Sequence, residues 1–263
     1  MKAYEVMNLL YGYGADADYS NTCDTLKAGN PDNEVTKVAV SMFATIGVVK
    51  AAKEWGAQLL VVHEPTYYNH MDHHSDEKIE CEKRAFLENS GLAIYRFHDH
   101  PHYNHPDMIA VGEWKYMGFE GETIYGDLFG HSEFVLKEPM APVEIAKQIE
   151  GKLGIKHVRI CGNRNIPVTK MSGMFGTPGN VFEKLKAEET EVVLTGEACE
   201  WMLGEYARDA ADLGYAKTLM ILGHIGSERD GMVYVSEVLA DRCPELKVKY
   251  FECGEVYSYT DSE

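Results

Sequence analysis

The constraint that most narrows the possible folds is an alternation of strand-like and helix-like segments that starts at Val35. VTKVAVSM reads as a strand. A helical run from about Thr45 to Trp55 follows, with Ile46, Val48, Val49, Ala52 and Trp55 on one side and Gly56 as its C-cap, and then the apolar strand QLLVVHE. Ser75 is placed to cap a helix through about Asn89, Gly91 ends it, and LAIYRF is the next strand. The rhythm returns in EVVLT, in a helix through WMLGEYARDAADLG closed by Gly214, and in TLMIL. A last helix is expected from near Ser227, with Asp230 three residues on. It must stop before Pro244, and KVKYFE closes the chain as a strand. Strands that alternate with helices predict an α/β fold with parallel sheet pairs.

Residues 125–167 differ in texture, with FVLKEPM, a helix from Pro142 to Leu153 and KHVRICG. The expected organisation is an α/β lobe of residues 1–124 and 190–263, holding the chemistry, and a smaller α/β lobe of residues 125–189. A faint internal repeat suggests that two related lobes exist. VTK occurs at Val35 and again at Val168, and each copy is followed 29 residues later by a carboxylate after an apolar strand, Glu64 and Glu197.

Charge excludes several function classes. The 263 residues carry 25 Lys and Arg against 42 Asp and Glu, a net charge of −17. With no long basic run, the chain is not expected to bind nucleic acid through its phosphates or to dock on anionic membranes. No apolar stretch reaches the roughly 18–20 residues that span a bilayer, and MKAYEVMNLL lacks a signal-peptide core, so the expected location is the cytoplasm. The six cysteines form no C-x-x-C pair and are expected to be reduced and mostly buried. There is no phosphate-binding loop or dinucleotide fingerprint, and GDLFG and GTPGN read as turns.

In α/β sheets the loops after strand carboxyl ends converge on one crevice. Three such positions carry metal-type ligands here: His63 and Glu64 after QLLVV, the run His98-Asp99-His100-Pro101-His102 after LAIYRF, and His224 and Glu228 after TLMIL. Imidazole and carboxylate suit Zn, Mn, Fe, Co or Ni, and carboxylates can bridge two ions. The loop YYNHMDHH, with His70, His73 and His74, has the composition of a solvated flap, and Tyr67 and Tyr68 lie beside it. Gly196-Glu197 is a weaker candidate for lining the crevice.

HEP after one strand, YRFHDHPH after the next, TGEACEW and GHIGSERDGM resemble the Nif-three-like family of dinuclear-metal proteins, often labelled GTP cyclohydrolase 1 type 2 homologues. The likeness runs from about Asn33 to the C-terminus, and the G-H-x-x-S-E segment is its most specific part. The resemblance implies two related α/β lobes of the Nif-three-like fold, with ligands at the carboxyl ends of strands. It also implies a ring-like homohexamer and two divalent ions. Family members typically place two adjacent His at the first strand end, His-x-x-x-Asp at the second and His-x-x-x-Glu at the third. These positions fall on His63 and Glu64, His98 and His102, and His224 and Glu228. The chain departs twice, with a carboxylate in place of the second His and a His in place of Asp, and the donor count is kept. Asp99 or His100 is an alternative ligand in the middle segment.

A pair of divalent ions can lower the pKa of bound water to about 7 and clamp attacking and leaving oxygens, so the expected function is metal-dependent hydrolysis of a small, nucleotide-like substrate. His98 or Asp99 acts as ligand or proton shuttle in that reading, and Glu228 as the bridge. A non-catalytic metal carrier or partner-binding scaffold is the alternative.

Overall fold

The computed structural model describes residues 1–14, 17, 19–126 and 131–260. Four of the five GDLFG residues lie outside them; Gly179 and Asn180 of GTPGN form a turn as expected. Along the chain run α1 (Ala3–Tyr11), β1 (Leu26–Ala28), β2 (Lys37–Ser41), α2 (Ile46–Trp55), β3 (Leu59–Val62), α3 (Lys78–Glu88), β4 (Ala93–Arg96), α4 (Asp99–Tyr103) and α5 (Met108–Met117). Then come β5 (Gly121–Tyr125), β6 (Ser132–Met140), α6 (Pro142–Leu153), β7 (Arg159–Gly162), β8 (Val168–Met174), α7 (Val181–Lys186) and β9 (Val192–Thr195). A π-turn (Glu200–Gly204), α8 (Glu205–Asp212), β10 (Thr218–Ile221), α9 (His224–Arg242) and β11 (Lys247–Tyr250) complete it. Among the described residues no helix is long and apolar enough to cross a membrane.

The chain divides into two compact units, Met1–Met108 with Met232–Glu263, and Ile109–Gly231. These bounds differ from the 1–124 and 190–263 against 125–189 expected from sequence texture. Hydrogen bonding is the reason: β5 pairs with β6, and β9 and β10 extend the sheet that holds β8, so both flanking segments belong with residues 125–189. His224 and Glu228 therefore lie in the second unit, whereas His63, Glu64, His98 and His102 lie in the first.

The first unit holds a five-stranded sheet of order β1-β4-β3-β2-β11, parallel except for β1. All four residues of β3 and of β4 are buried, as strands covered on both faces require. Val49, Ala52, Leu60, Val62, Leu92 and Ile94 belong to the apolar cluster there. The Thr45 hydroxyl accepts the Val48 amide and Gly56 takes a positive φ, so both expected ends of α2 are present. The cap of α3 differs: Glu77, not Ser75, accepts the amides of Ile79 and Glu80, because Ser75 donates its own N–H and O–H to Glu80.

The second unit holds a six-stranded sheet of order β5-β6-β8-β9-β10-β7. Its parallel centre, β8-β9-β10, buries Met171, Leu194 and Met220 in one apolar cluster and Met174, Val193 and Leu219 in another. Helix α6 spans Pro142–Leu153 as expected, packing Ile145, Ile149 and Leu153. Helix α9 begins at His224 rather than near Ser227, because Gly223 turns the chain at φ +87° and the Ser227 hydroxyl is engaged, donating to the His224 carbonyl and accepting the Gly176 amide.

The internal repeat is a repeat of structure. In the first unit the Gln58 side-chain oxygen accepts the Thr36 and Lys37 amides and the Thr36 hydroxyl; in the second, Glu191 does the same for Thr169 and Lys170, each position 133 residues on. Past the next strand the Met42 carbonyl accepts the amides of His63 and Glu64, and the Gly176 carbonyl those of Gly196 and Glu197. Each unit thus carries one strand-helix-strand module with a carboxylate at the same turn.

Glu113 on α5 is fully buried, and its Oε1 accepts the Asp230 and Gly231 amides of α9. Burial, then the neighbouring Asp230 carboxylate, raises its pKa well above 4.5. A carboxyl raised in the fold contributes stability below about pH 4.5 that is lost as pH rises through its native value. Glu113→Gln keeps the acceptor without the charge. It is expected to be more stable than wild type by about 1–3 kcal/mol at pH 8, with the advantage shrinking toward pH 4, in urea melts at both pH values.

Candidate metal centre

In the first unit, β3 and β4 end side by side, with Val62 paired to Arg96, so the residues after them share one sheet edge. His63, His98 and His102 converge there, one ring nitrogen of each lying within 4.8 Å of the others. The hydrogen bonds set which nitrogen is presented. His63 Nδ1 faces the Phe97 carbonyl at 3.0 Å, and His102 Nδ1 faces Asp107 Oδ2 at 2.9 Å. Each partner is an acceptor, so each Nδ1 carries a proton and each ring presents its Nε2 to the other. The two Nε2 atoms are 3.2 Å apart. That spacing fits a proton shared between the two nitrogens, and it also fits one tetrahedral ion, on which two nitrogens at about 2.0–2.1 Å would stand roughly 3.3 Å apart. His98 Nδ1 is likewise held by Asp99 Oδ1 at 2.9 Å. Burial, followed by the adjacent His98 and His102, lowers the His63 pKa well below 6.5 and keeps it in the neutral form that coordinates metal.

Asp24 builds this segment, and it carried no signal in the sequence. Its Oδ1 accepts the His98 and Asp99 amides, and its Oδ2 the His100 amide and ring Nδ1. Burial raises its pKa, but the His100 donors and the amides outweigh that and hold it low. The HDHPH run forms the short helix α4, its amides accepted by Asp24, with His100 and His102 buried. His100 stacks on Tyr19 at 3.7 Å and joins none of the ligand groups. Asp99 is also pinned. Burial pushes its carboxyl up, yet donation from His98, Thr22 and the Cys23 amide holds it well below the carboxylate range.

Glu64 is buried beside His63 and adds attraction for positive charge there. Of the flap residues, His73 and His74 are exposed, while Asp72 ties the segment to the sheet through Lys27 at 3.0 Å and Arg96 at 3.5 Å. Tyr67 is buried, donating to the Lys27 carbonyl, and Tyr68 is exposed.

The second unit repeats the device on a smaller scale. His224 Nδ1 is held by Glu197 Oε1 at 2.7 Å, and its Nε2 stands 3.2 Å from Glu228 Oε2, one helical turn on. Room for this pair comes from two glycines. A side chain on Gly176 would meet Glu228 Oε1 at 2.4 Å, and one on Gly196 would meet the Ser227 hydroxyl at 2.6 Å and His224 Cα at 3.0 Å. Where the first module places His63, the second places Gly196, and the imidazole comes from His224 on α9 instead.

Paired βαβ modules with imidazoles oriented by acceptors at strand ends define a class of α/β protein that carries candidate metal-binding groups. The sequence model of the family described as Duf34/NIF3 (NGG1p interacting factor 3) matches residues 1–255, and the chain belongs to that family. A GTP cyclohydrolase 1 type 2 homolog of Clostridium perfringens is 24% identical over 227 residues, 82% of each chain. The solved structure of protein ybgI superposes with a TM-score of 0.76 at 20% identity, covering 98% of this chain and 100% of that one. A Bacillus cereus protein related to NIF3 gives 0.75 at 15% identity and 99% of both. The expected fold class, two related α/β lobes, agrees with these neighbours.

Proposed function

We propose that the chain is a metal-dependent hydrolase of a small substrate, with a dinuclear divalent-metal centre. The observation that carries this reading is the approach of two imidazole Nε2 atoms to 3.2 Å while both Nδ1 atoms face acceptors. His63, Glu64, His98 and His102 are the proposed ligands in the first unit, and His224 and Glu228 those in the second; the family resemblance is what assigns them to one centre. Zn, Mn, Fe, Co and Ni all suit these donors. Divalent ions supply, when bound, Lewis acidity toward a carbonyl or phosphoryl oxygen.

The residues divide the remaining work. Asp107, the Phe97 carbonyl and Glu197 fix ring orientation and tautomer. The His98–Asp99 pair holds a proton between Nδ1 and Oδ1 and is the proposed proton-transfer group. Nucleotide-like compounds are the first substrates to screen, in keeping with the name of the Clostridium relative. A homohexamer in the cytoplasm is proposed with this reading on the resemblance.

Elemental analysis of protein purified without added metal or chelator tests it, beside His224→Ala and Glu228→Ala. At least two ions per chain are expected in the wild type and fewer in both variants, with metal-dependent turnover of phosphoesters, cyclic amides or nucleotides. Near-zero content after reloading with all five metals would overturn the centre. Two firmly held ions without turnover would overturn the hydrolase.

A further inference from the structure

A second ligand set in the first unit was not anticipated. Cys23 Sγ, a ring nitrogen of His70 and an Asp99 oxygen lie within 4.8 Å of one another. We propose that Cys23, His70 and Asp99 form a thiolate-containing cation site, selective for zinc-like ions and joined to the three-histidine group through the Asp99–His98 hydrogen bond.

Geometry carries the proposal. Cys23 Sγ is 3.5 Å from Asp99 Oδ1. A sulfur at about 2.3 Å and an oxygen at about 2.0 Å from one tetrahedral ion would be roughly 3.5 Å apart. The thiol donates toward Asp99 today, so an ion would take the place of the shared proton: the S–H bond breaks, a metal–sulfur bond forms, and one proton leaves to solvent.

The donors are held ready. Asp24 takes up the α4 amides, Thr22 and the Cys23 amide fix Asp99 Oδ2, and Asp99 Oδ1 faces both Cys23 Sγ and His98 Nδ1. Arg96, fully buried, clamps the His70 carbonyl and so sets where that exposed ring can reach. Thiolate, imidazole and carboxylate form a borderline-soft set, which favours Zn over Mg or Ca. Three protein ligands leave a fourth tetrahedral position open, as in catalytic rather than structural zinc sites. None of its ligands comes from the three-histidine group, but Asp99 Oδ1 also accepts from His98 Nδ1, so the site shares Asp99 with the hydrolase reading and the Cys23 and His70 variants are what tell the two apart.

Cobalt(II) titration of metal-stripped full-length protein, followed by absorption, tests it. The wild type is expected to show a sulfur-to-cobalt charge-transfer band in the near ultraviolet, with visible ligand-field bands. Cys23→Ser should lose the charge-transfer band and keep ligand-field absorption from the histidine site. His63→Ala should keep the charge-transfer band. His70→Ala, an exposed change that spares the core, should weaken cobalt binding at that band at least about tenfold, and it decides the question if Cys23→Ser fails to fold. Absence of the band in the wild type, or a band unchanged in Cys23→Ser or His70→Ala, would overturn the thiolate site. Cobalt bound with ligand-field bands alone would leave the histidine centre standing, whereas no cobalt bound at all would overturn both.

Discussion

His63→Ala and His102→Ala are each expected to lower the affinity of the protein for zinc by more than about 100-fold. Replacing an outer partner such as Asp107 by Asn should cost about 10–100-fold. The order follows from what each change removes. The alanine variants delete an Nε2 donor from the pair that stands 3.2 Å apart. Asp107→Asn leaves the ring in place and weakens only the acceptor at 2.9 Å that fixes the His102 tautomer. Competition with a chromophoric chelator measures all three, with the exposed His73→Ala as the neutral control. If Asp107→Asn bound zinc as tightly as wild type, the tautomer argument would fail; if His63→Ala did, the histidine group would not be a ligand set.

Asp72→Ala is expected to cost about 3–5 kcal/mol of folding stability, the usual penalty for removing one partner from a buried ion pair. Asp72 is the anion shared by Lys27 and Arg96, and the three side chains are 2%, 5% and 0% exposed, respectively. Its Oδ1 also accepts the Tyr67 amide at 2.7 Å, and its φ of +56° suits Asp or Asn better than Ala. Asp72→Asn keeps the backbone preference and that acceptor, so the difference between the two variants isolates the backbone and Tyr67 contribution. Urea midpoints at constant m-value are the measurement. A loss under about 1 kcal/mol for Asp72→Ala would show that the two cations find water or other acceptors when the aspartate is gone.

The pattern of the chain already specified much of this protein. Helical and strand periods depend only on which residues are apolar, so β2, α2, β3, β4, β9 and β10 fall where the alternation placed them, and α6 where its own period did. The VTK repeat was legible for a related reason. It marks a strand entry whose amides need an acceptor, and Gln58 and Glu191 supply it at matching positions. His63, His98 and His102 were also readable, because parallel strands must end at a common edge.

Tertiary structure decided the rest, since it rests on pairing and burial between residues distant in sequence. Strands β9 and β10 hydrogen-bond to β8, and only that pairing moved the division of the chain to Met108 and Gly231. Ser75 and Ser227 looked like helix caps, but their hydroxyls donate to Glu80 and the His224 carbonyl. Asp24 and Asp107 carry no periodic signal, yet they determine how α4 folds and which nitrogen His102 presents. Cys23 lies 76 residues from Asp99 in the chain and 3.5 Å from it in the fold. A side chain's apolarity is local and can be read from one position, whereas a hydrogen bond or a ligand set exists only once the backbone has brought its members together.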